Sequence, residues 1–163
     1  MNQFDPDIPG LLEGDITSVA VTDPQPFVGG VGNHVIDPTK PFTLGIEWTL
    51  QGQLVPLWLA ALGGNWDVSV YAESLGGGTE ARLGSASVSA ASGTPTGGVN
   101  GTKFTASITV QPNSLQEHTP GTDVGGIYKL VVAVFLNSNL LGVPGYDLVG
   151  FSEGPIIQAE NPQ

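Results

Sequence analysis

The stretch PFTLGIEWTLQG, residues 41–52, alternates without a break. Phe42, Leu44, Ile46, Trp48 and Leu50 fall on one side of an extended chain. Thr43, Gly45, Glu47, Thr49 and Gln51 fall on the other. Successive side chains of a strand point to opposite faces, so this spacing predicts a strand with one buried and one solvated face. Such one-sided strands belong to antiparallel sheets. Strands of parallel sheets are covered on both faces and read as continuous apolar runs.

The same period recurs outward from this stretch. Trp66, Val68, Val70 and Ala72 alternate with Asp67, Ser69, Tyr71 and Glu73. Phe104, Ala106, Ile108 and Val110 alternate with Thr105, Ser107 and Thr109. Ile16–Val21 is a strand, Arg82–Ala90 a weaker one rich in Ser and Ala, and His34–Ile36 a short extended piece within turn-rich residues 22–41. The run GIYKLVVAVFLN, residues 126–137, is apolar on both faces, which predicts a central strand or one whose outer face is covered. The tail offers a strand near Tyr146–Phe151 and a short piece at Pro155–Ala159. Gly-rich connectors separate these runs at 76–78, 92–101 and 120–126. Together they predict an all-β chain: one antiparallel β-sandwich domain over residues 16–160 with about seven strands. Residues 1–15, rich in Pro and carboxylates, read as an extended N-terminal arm.

One apolar run does not alternate: LVPLWLAALGG, residues 54–64. Pro56 suits the first turn of a helix and Gly63 its stop, so a short helical segment is expected near 56–62. On a helix, Leu54, Leu57, Trp58 and Ala61 share one stripe, with Leu59 and Leu62 away from it. So short a helix is not stable alone and must pack one side on the sandwich. Its surplus apolar side is then free for another chain, which makes Leu57, Trp58, Leu59 and Leu62 interface candidates, together with Phe135 on the two-sided strand. Trp48 and Trp66 stand in phase with apolar neighbours and belong to the core.

The segment Asp123-Val-Gly-Gly126-Ile-Tyr128-Lys-Leu130-Val-Val132 resembles the start of the F strand in immunoglobulin-like and fibronectin type III-like β-sandwiches. The resemblance implies that Tyr128 closes a tyrosine corner, its hydroxyl bonding backbone upstream, and that Trp48 is similar to the buried tryptophan of such domains. The chain departs from that pattern in having no Cys pair and in placing its Asp five residues before the Tyr. The superfold hosts many functions, so it implies an architecture rather than an activity.

Bulk chemistry removes several functions. The chain of 163 residues carries 15 Asp and Glu against 4 Lys and Arg, a net charge of −11. Lys40, Arg82, Lys103 and Lys129 are scattered, whereas nucleic acid and anionic membranes require clustered cations. No nucleic-acid partner is therefore expected. Membrane insertion is not expected either, since no apolar run reaches the roughly 18 residues of a span. With no cysteine, disulfides and thiolate metal sites are absent. The opening MNQFDPDIPG lacks the basic and apolar regions of a secretory leader. The expected location is cytoplasmic at synthesis, with an extracellular or particle-associated assembly as a possible end point.

Motifs that suggest chemistry lack their context. Gly150-Phe-Ser152-Glu-Gly154 matches a nucleophile elbow, but no His follows it, and a Gly-flanked strand end or bulge explains it. FDPDIPGLLEGD places Asp5, Asp7 and Gly10 at calcium-loop spacing, yet Ile16 stands where the bidentate Glu belongs. A weak calcium site among the loops stays open as an alternative to an acidic solvated surface. His34 and His118 have no spacing that suggests zinc or a base–partner pair. The GTPTGGVNGTK stretch lacks a P-loop ending, and Asn100-Gly101-Thr102 is a glycosylation sequon. No cofactor and no enzymatic activity are expected. The expected role is a structural or interaction protein, a subunit of a homomeric filament, shell or particle. Charge depletion suits protein–protein contact, and charged residues are only 12% of this chain. The alternative is a carbohydrate- or surface-binding module that uses Tyr71, Tyr146 or Trp58.

Overall fold

The computed structural model describes residues 2–22, 34–138 and 148–161. In chain order these form β1 (Asn2–Asp5), β2 (Glu13–Thr22), β3 (Val35–Ile36), β4 (Phe42–Gln51), α1 (Val55–Leu62), β5 (Asn65–Ser74), β6 (Ala81–Ser89), a 3-10 turn (Ala90–Ser92), β7 (Thr94–Pro95), β8 (Thr102–Val110), β9 (Ile127–Asn137) and β10 (Val149–Ala159). Two sheets pack into a sandwich. One runs β2-β4-β8-β7. The other runs β1-β10-β9-β5-β6, with β3 also paired to β10. Every pairing is antiparallel except β3 with β10.

The alternating stretches become the core. Phe42, Leu44, Ile46, Trp48 and Leu50 of β4 face Trp66, Val68, Val70 and Ala72 of β5 and Leu130, Val132, Val134 and Leu136 of β9 across the interior, all buried. Trp48 and Phe104 are directly paired across β4 and β8 and stack with ring centres 5.6 Å apart. Trp66, from the opposite sheet, meets Trp48 edge-on at 5.6 Å and Phe104 at 5.4 Å. This trio joins the two layers. The indole N–H groups of Trp48 and Trp66 find no hydrogen-bond partner among the described residues. An unpaired buried donor costs about 1–3 kcal/mol. Burying about 200 Å² of ring surface at about 25 cal/mol per Å² contributes about 5 kcal/mol, so burial wins.

Ten strands form among the described residues rather than about seven. The additions are β1 and the two-residue β3 and β7, while the two tail pieces join into one strand, β10. The expected breaks at Gly154 and Pro155 lie inside β10 as a register shift between Glu153 and Ile156, where a Pro without an N–H is tolerated. The N-terminal residues are extended, as expected, but they are not a free arm. β1 pairs with β10 from Asn2↔Ser152 to Asp5↔Val149, and residues 13–15 belong to β2. Their composition disfavours regular structure in isolation. The open edge of β10 supplies the backbone partners that composition does not reveal. Residues 23–33, within the expected turn-rich segment, and Tyr146 lie outside the described residues.

A corner near Gly52 ties three segments together. Its N–H donates to Val99 O at 2.7 Å, Leu54 N–H donates to Leu11 O at 2.8 Å, and Asn100 Nδ2 donates to Gly52 O at 3.3 Å. Gly52 has φ +128°, and a Cβ there would overlap the Leu11 carbonyl, so both backbone conformation and space require glycine. The sequon nitrogen of Asn100 is thus engaged in this corner.

Candidate interaction surface

The two outward faces of the sandwich differ in chemistry. On the four-stranded sheet, the outward rows read Asp15–Thr49–Lys103, Ser18–Glu47–Thr105, Ala20–Gly45–Ser107 and Thr22–Thr43–Thr109. That face is largely hydroxyl-rich, and Lys103 pairs with Glu47 at 3.5 Å. On the six-stranded sheet, the row Val149–Phe135–Asp67 is followed by Phe151–Ala133–Ser69 and then Glu153–Val131–Tyr71. Val149, Phe135, Phe151, Ala133 and Val131 therefore form a stripe along β9 and β10 without a charged side chain. Phe135 is 36% and Phe151 50% exposed.

The stripe ends at a charge cluster. Lys129 Nζ lies 2.9 Å from Glu73 Oε2 and 3.1 Å from Glu153 Oε1. The hydrogen bond that Lys129 donates to Glu73, reinforced by the one to Glu153, raises the Lys129 pKa above its ordinary value. The hydrogen bond from Lys129 holds the Glu153 carboxyl below its ordinary range. Lys129 is thus satisfied within its own chain.

The helix places the other interface candidates. α1 begins with Pro56 in its first turn and stops at Gly63, whose N–H donates to Leu59 O at 2.9 Å. Its phase differs from the expected stripe. Val55 and Leu62 are buried, and Trp58 and Leu59 pack against the core, while Leu57 is 67% exposed. The inward set is i, i+3, i+4, i+7 from Val55 rather than a set built on Leu54, Leu57, Trp58 and Ala61. A helix apolar all round carries no phase in its sequence. Here the anchors are the Leu54–Leu11 backbone bond at one end and the short link to β5 at the other. Leu62 is therefore core, Trp58 and Leu59 are half-buried, and Leu57 is the large apolar side chain that the helix exposes, beside Pro56, Ala60 and Ala61. Leu57 stands on the end of the sandwich and Phe135 on its outer sheet face.

Tyr128 is fully buried, and its hydroxyl donates to Gln116 O at 3.1 Å and accepts from Gln116 N–H at 3.0 Å. Trp48 and Trp66 are core, as their phase predicts. Ser152 stands inside β10, paired with Asn2 and Val132, so no strand-to-helix turn presents it. His118 Nδ1 lies 3.1 Å from Val124 O. Among the described residues, no three His, Asp or Glu side chains are grouped to hold a metal ion, and no helix is long and apolar enough to cross a membrane.

No protein-family model matches the chain, and no curated protein matches it. The sequence reading missed Phe151. The signal was present in part, since Phe151 alternates with Leu148 and Gly150, but the Gly154-Pro155 break hid the length of the strand.

Proposed function

We propose that the protein is a non-catalytic structural or interaction protein, a subunit of a homomeric assembly, and that the β9–β10 stripe is its contact face. One observation carries this reading: an uncharged, aromatic-bearing stripe on the outer face of a chain whose net charge is −11. Exposed aromatics in charge-depleted surroundings are the composition of interface cores. A second copy is the partner that the charges favour. Lys40, Lys103 and Lys129 are already held by carboxylates of their own chain. Two such stripes meeting about a two-fold axis set apolar side chains against apolar side chains.

The immunoglobulin-like reading of the sandwich belongs here too. Strand order supports it: β2-β4-β8-β7 follows the A-B-E-D order and β10-β9-β5 the G-F-C order of the immunoglobulin constant-type arrangement, with β6 an additional strand beside β5. Tyr128 then lies on F, with its hydroxyl bonded to upstream backbone. Trp66, rather than Trp48, lies on C, the strand that carries the buried tryptophan of such domains. A Cys pair is missing, and the Trp48–Phe104–Trp66 trio fills the space between the sheets instead.

Light scattering after gel filtration tests the assembly. The wild-type chain is expected to form a dimer or larger species, and the double substitution Phe135→Ser with Phe151→Ser to give a folded monomer. A wild-type chain that stays strictly monomeric at high concentration overturns the reading.

A further inference from the structure

We propose that the depression beside Tyr71 and Arg82 binds a neutral saccharide. It lies on the outer face of the six-stranded sheet, on the β5–β6 side of the apolar stripe. Its volume is about 560 Å³, within the range of small-molecule sites, and Tyr71, Arg82, Glu73, Glu80, Glu153 and Val131 line it.

The strand geometry builds this site. The β5–β6 ladder pairs Val70 with Gly84 and Tyr71 with Arg82, so Leu83 is an extra residue in β6. Leu83 turns into the core, and Arg82 is set on the outer face beside Tyr71. A bulge re-aims a side chain in this way without breaking the sheet. Tyr71 is 42% exposed. Val131, its partner on β9, gives the depression an apolar floor.

Charge selects the ligand class. Arg82 donates to Ser69 Oγ at 3.1 Å, and it is the one cation among the described residues outside an ion pair. Its guanidinium has five N–H donors, most of them free for a ligand. An anionic ligand would meet Glu73, Glu80 and Glu153, and a cationic one would meet Arg82. A neutral, hydroxyl-rich ring suits both signs. Its hydroxyls accept from the guanidinium and donate to the carboxylates, and its C–H face lies on the Tyr71 ring. The stripe and the depression share Val131 but are lined by different aromatic side chains, so different substitutions test the two readings.

The test titrates the full chain with maltotetraose, cellotetraose, chitotetraose and mannotetraose, by calorimetry and by amide chemical shifts, with tetragalacturonate as the charged control. At least one neutral oligosaccharide should bind and shift the amides of Tyr71, Arg82 and Val131. Tyr71→Ala and Arg82→Ala should each weaken it about tenfold, while Tyr71→Phe retains it. Both positions are on the surface, and an unchanged Tm certifies the fold. The Phe135→Ser, Phe151→Ser double variant should bind the saccharide like the wild type, which separates this site from the assembly face. The proposal is overturned if no neutral saccharide of the panel binds, if binding survives both alanine substitutions, or if tetragalacturonate binds more tightly.

Discussion

Phe4 and Gly150 are register partners on β1 and β10, and the Phe4 ring occupies the space in which a Gly150 side chain would stand. Gly14, on β2 of the opposite sheet, meets the same ring. One aromatic side chain thus fits between two glycines, one from each layer, and fastens the first strand across the mouth of the sandwich.

Gly150→Ala should therefore destabilise the protein by about 1–3 kcal/mol, the usual cost of overpacking, and speed hydrogen exchange of the β1 amides. The ring is the obstacle, so adding Phe4→Ala to Gly150→Ala should cost less than the two single changes summed. Urea unfolding of the three variants measures this. Strict additivity would mean that the ring and the glycine do not share space.

Trp48 and Phe104 are predicted to be coupled. Trp48→Ala should cost about 3–5 kcal/mol through loss of a fully buried ring. A double-mutant cycle with Phe104→Leu should return a coupling of about 0.5–1.5 kcal/mol from the stacked pair. A coupling near zero would leave only area burial at this contact.

Tyr128→Phe removes one hydroxyl that both donates to and accepts from the Gln116 backbone. The expected loss is about 1 kcal/mol, because Gln116 is exposed and water can replace the missing partner. Chemical denaturation decides it, and an unchanged midpoint would count against a structural role for the pair.

Asp37 governs a pH dependence. The Thr39 hydroxyl, donating to Asp37 Oδ1 at 2.6 Å, holds the carboxyl below its ordinary value of 3.8. The Thr39 N–H and Lys40 add to this, against the opposing effect of burial. A carboxyl whose pKa is lower in the folded chain stabilises the fold above its unfolded value. That contribution is lost as pH falls through the folded value. Asp37→Ala should be less stable than wild type at neutral pH, with the gap narrowing in acid below the carboxylate range. Thermal unfolding across that pH series measures the gap, and a gap that widens in acid would reverse the assignment.

Much of the architecture was legible because period-2 alternation is a direct consequence of strand geometry. Trp48, Trp66 and Phe104 were placed inward by phase alone, and all three are buried. The both-sided apolar run 127–136 was readable as central, and β9 lies between β10 and β5. Pro56 and Gly63 marked the helix within a residue of its ends.

The candidate surfaces were legible only in part. Phe135 was visible because it breaks alternation on its strand. Its neighbour Phe151 comes from β10, and only the ladder that pairs Phe151 with Ala133 makes the two one stripe. Arg82 and Tyr71 are likewise brought together by a bulge, which a period-2 reading passes over.

Local pattern determined which residues of this chain face inward, since burial of apolar side chains and the strand period are both encoded residue by residue. Pairing decided the rest. The capture of residues 2–5 by β10, the phase of an all-apolar helix and the assembly of an outer face from separate strands each depend on backbone groups distant in sequence. Those groups meet only once the two sheets have closed.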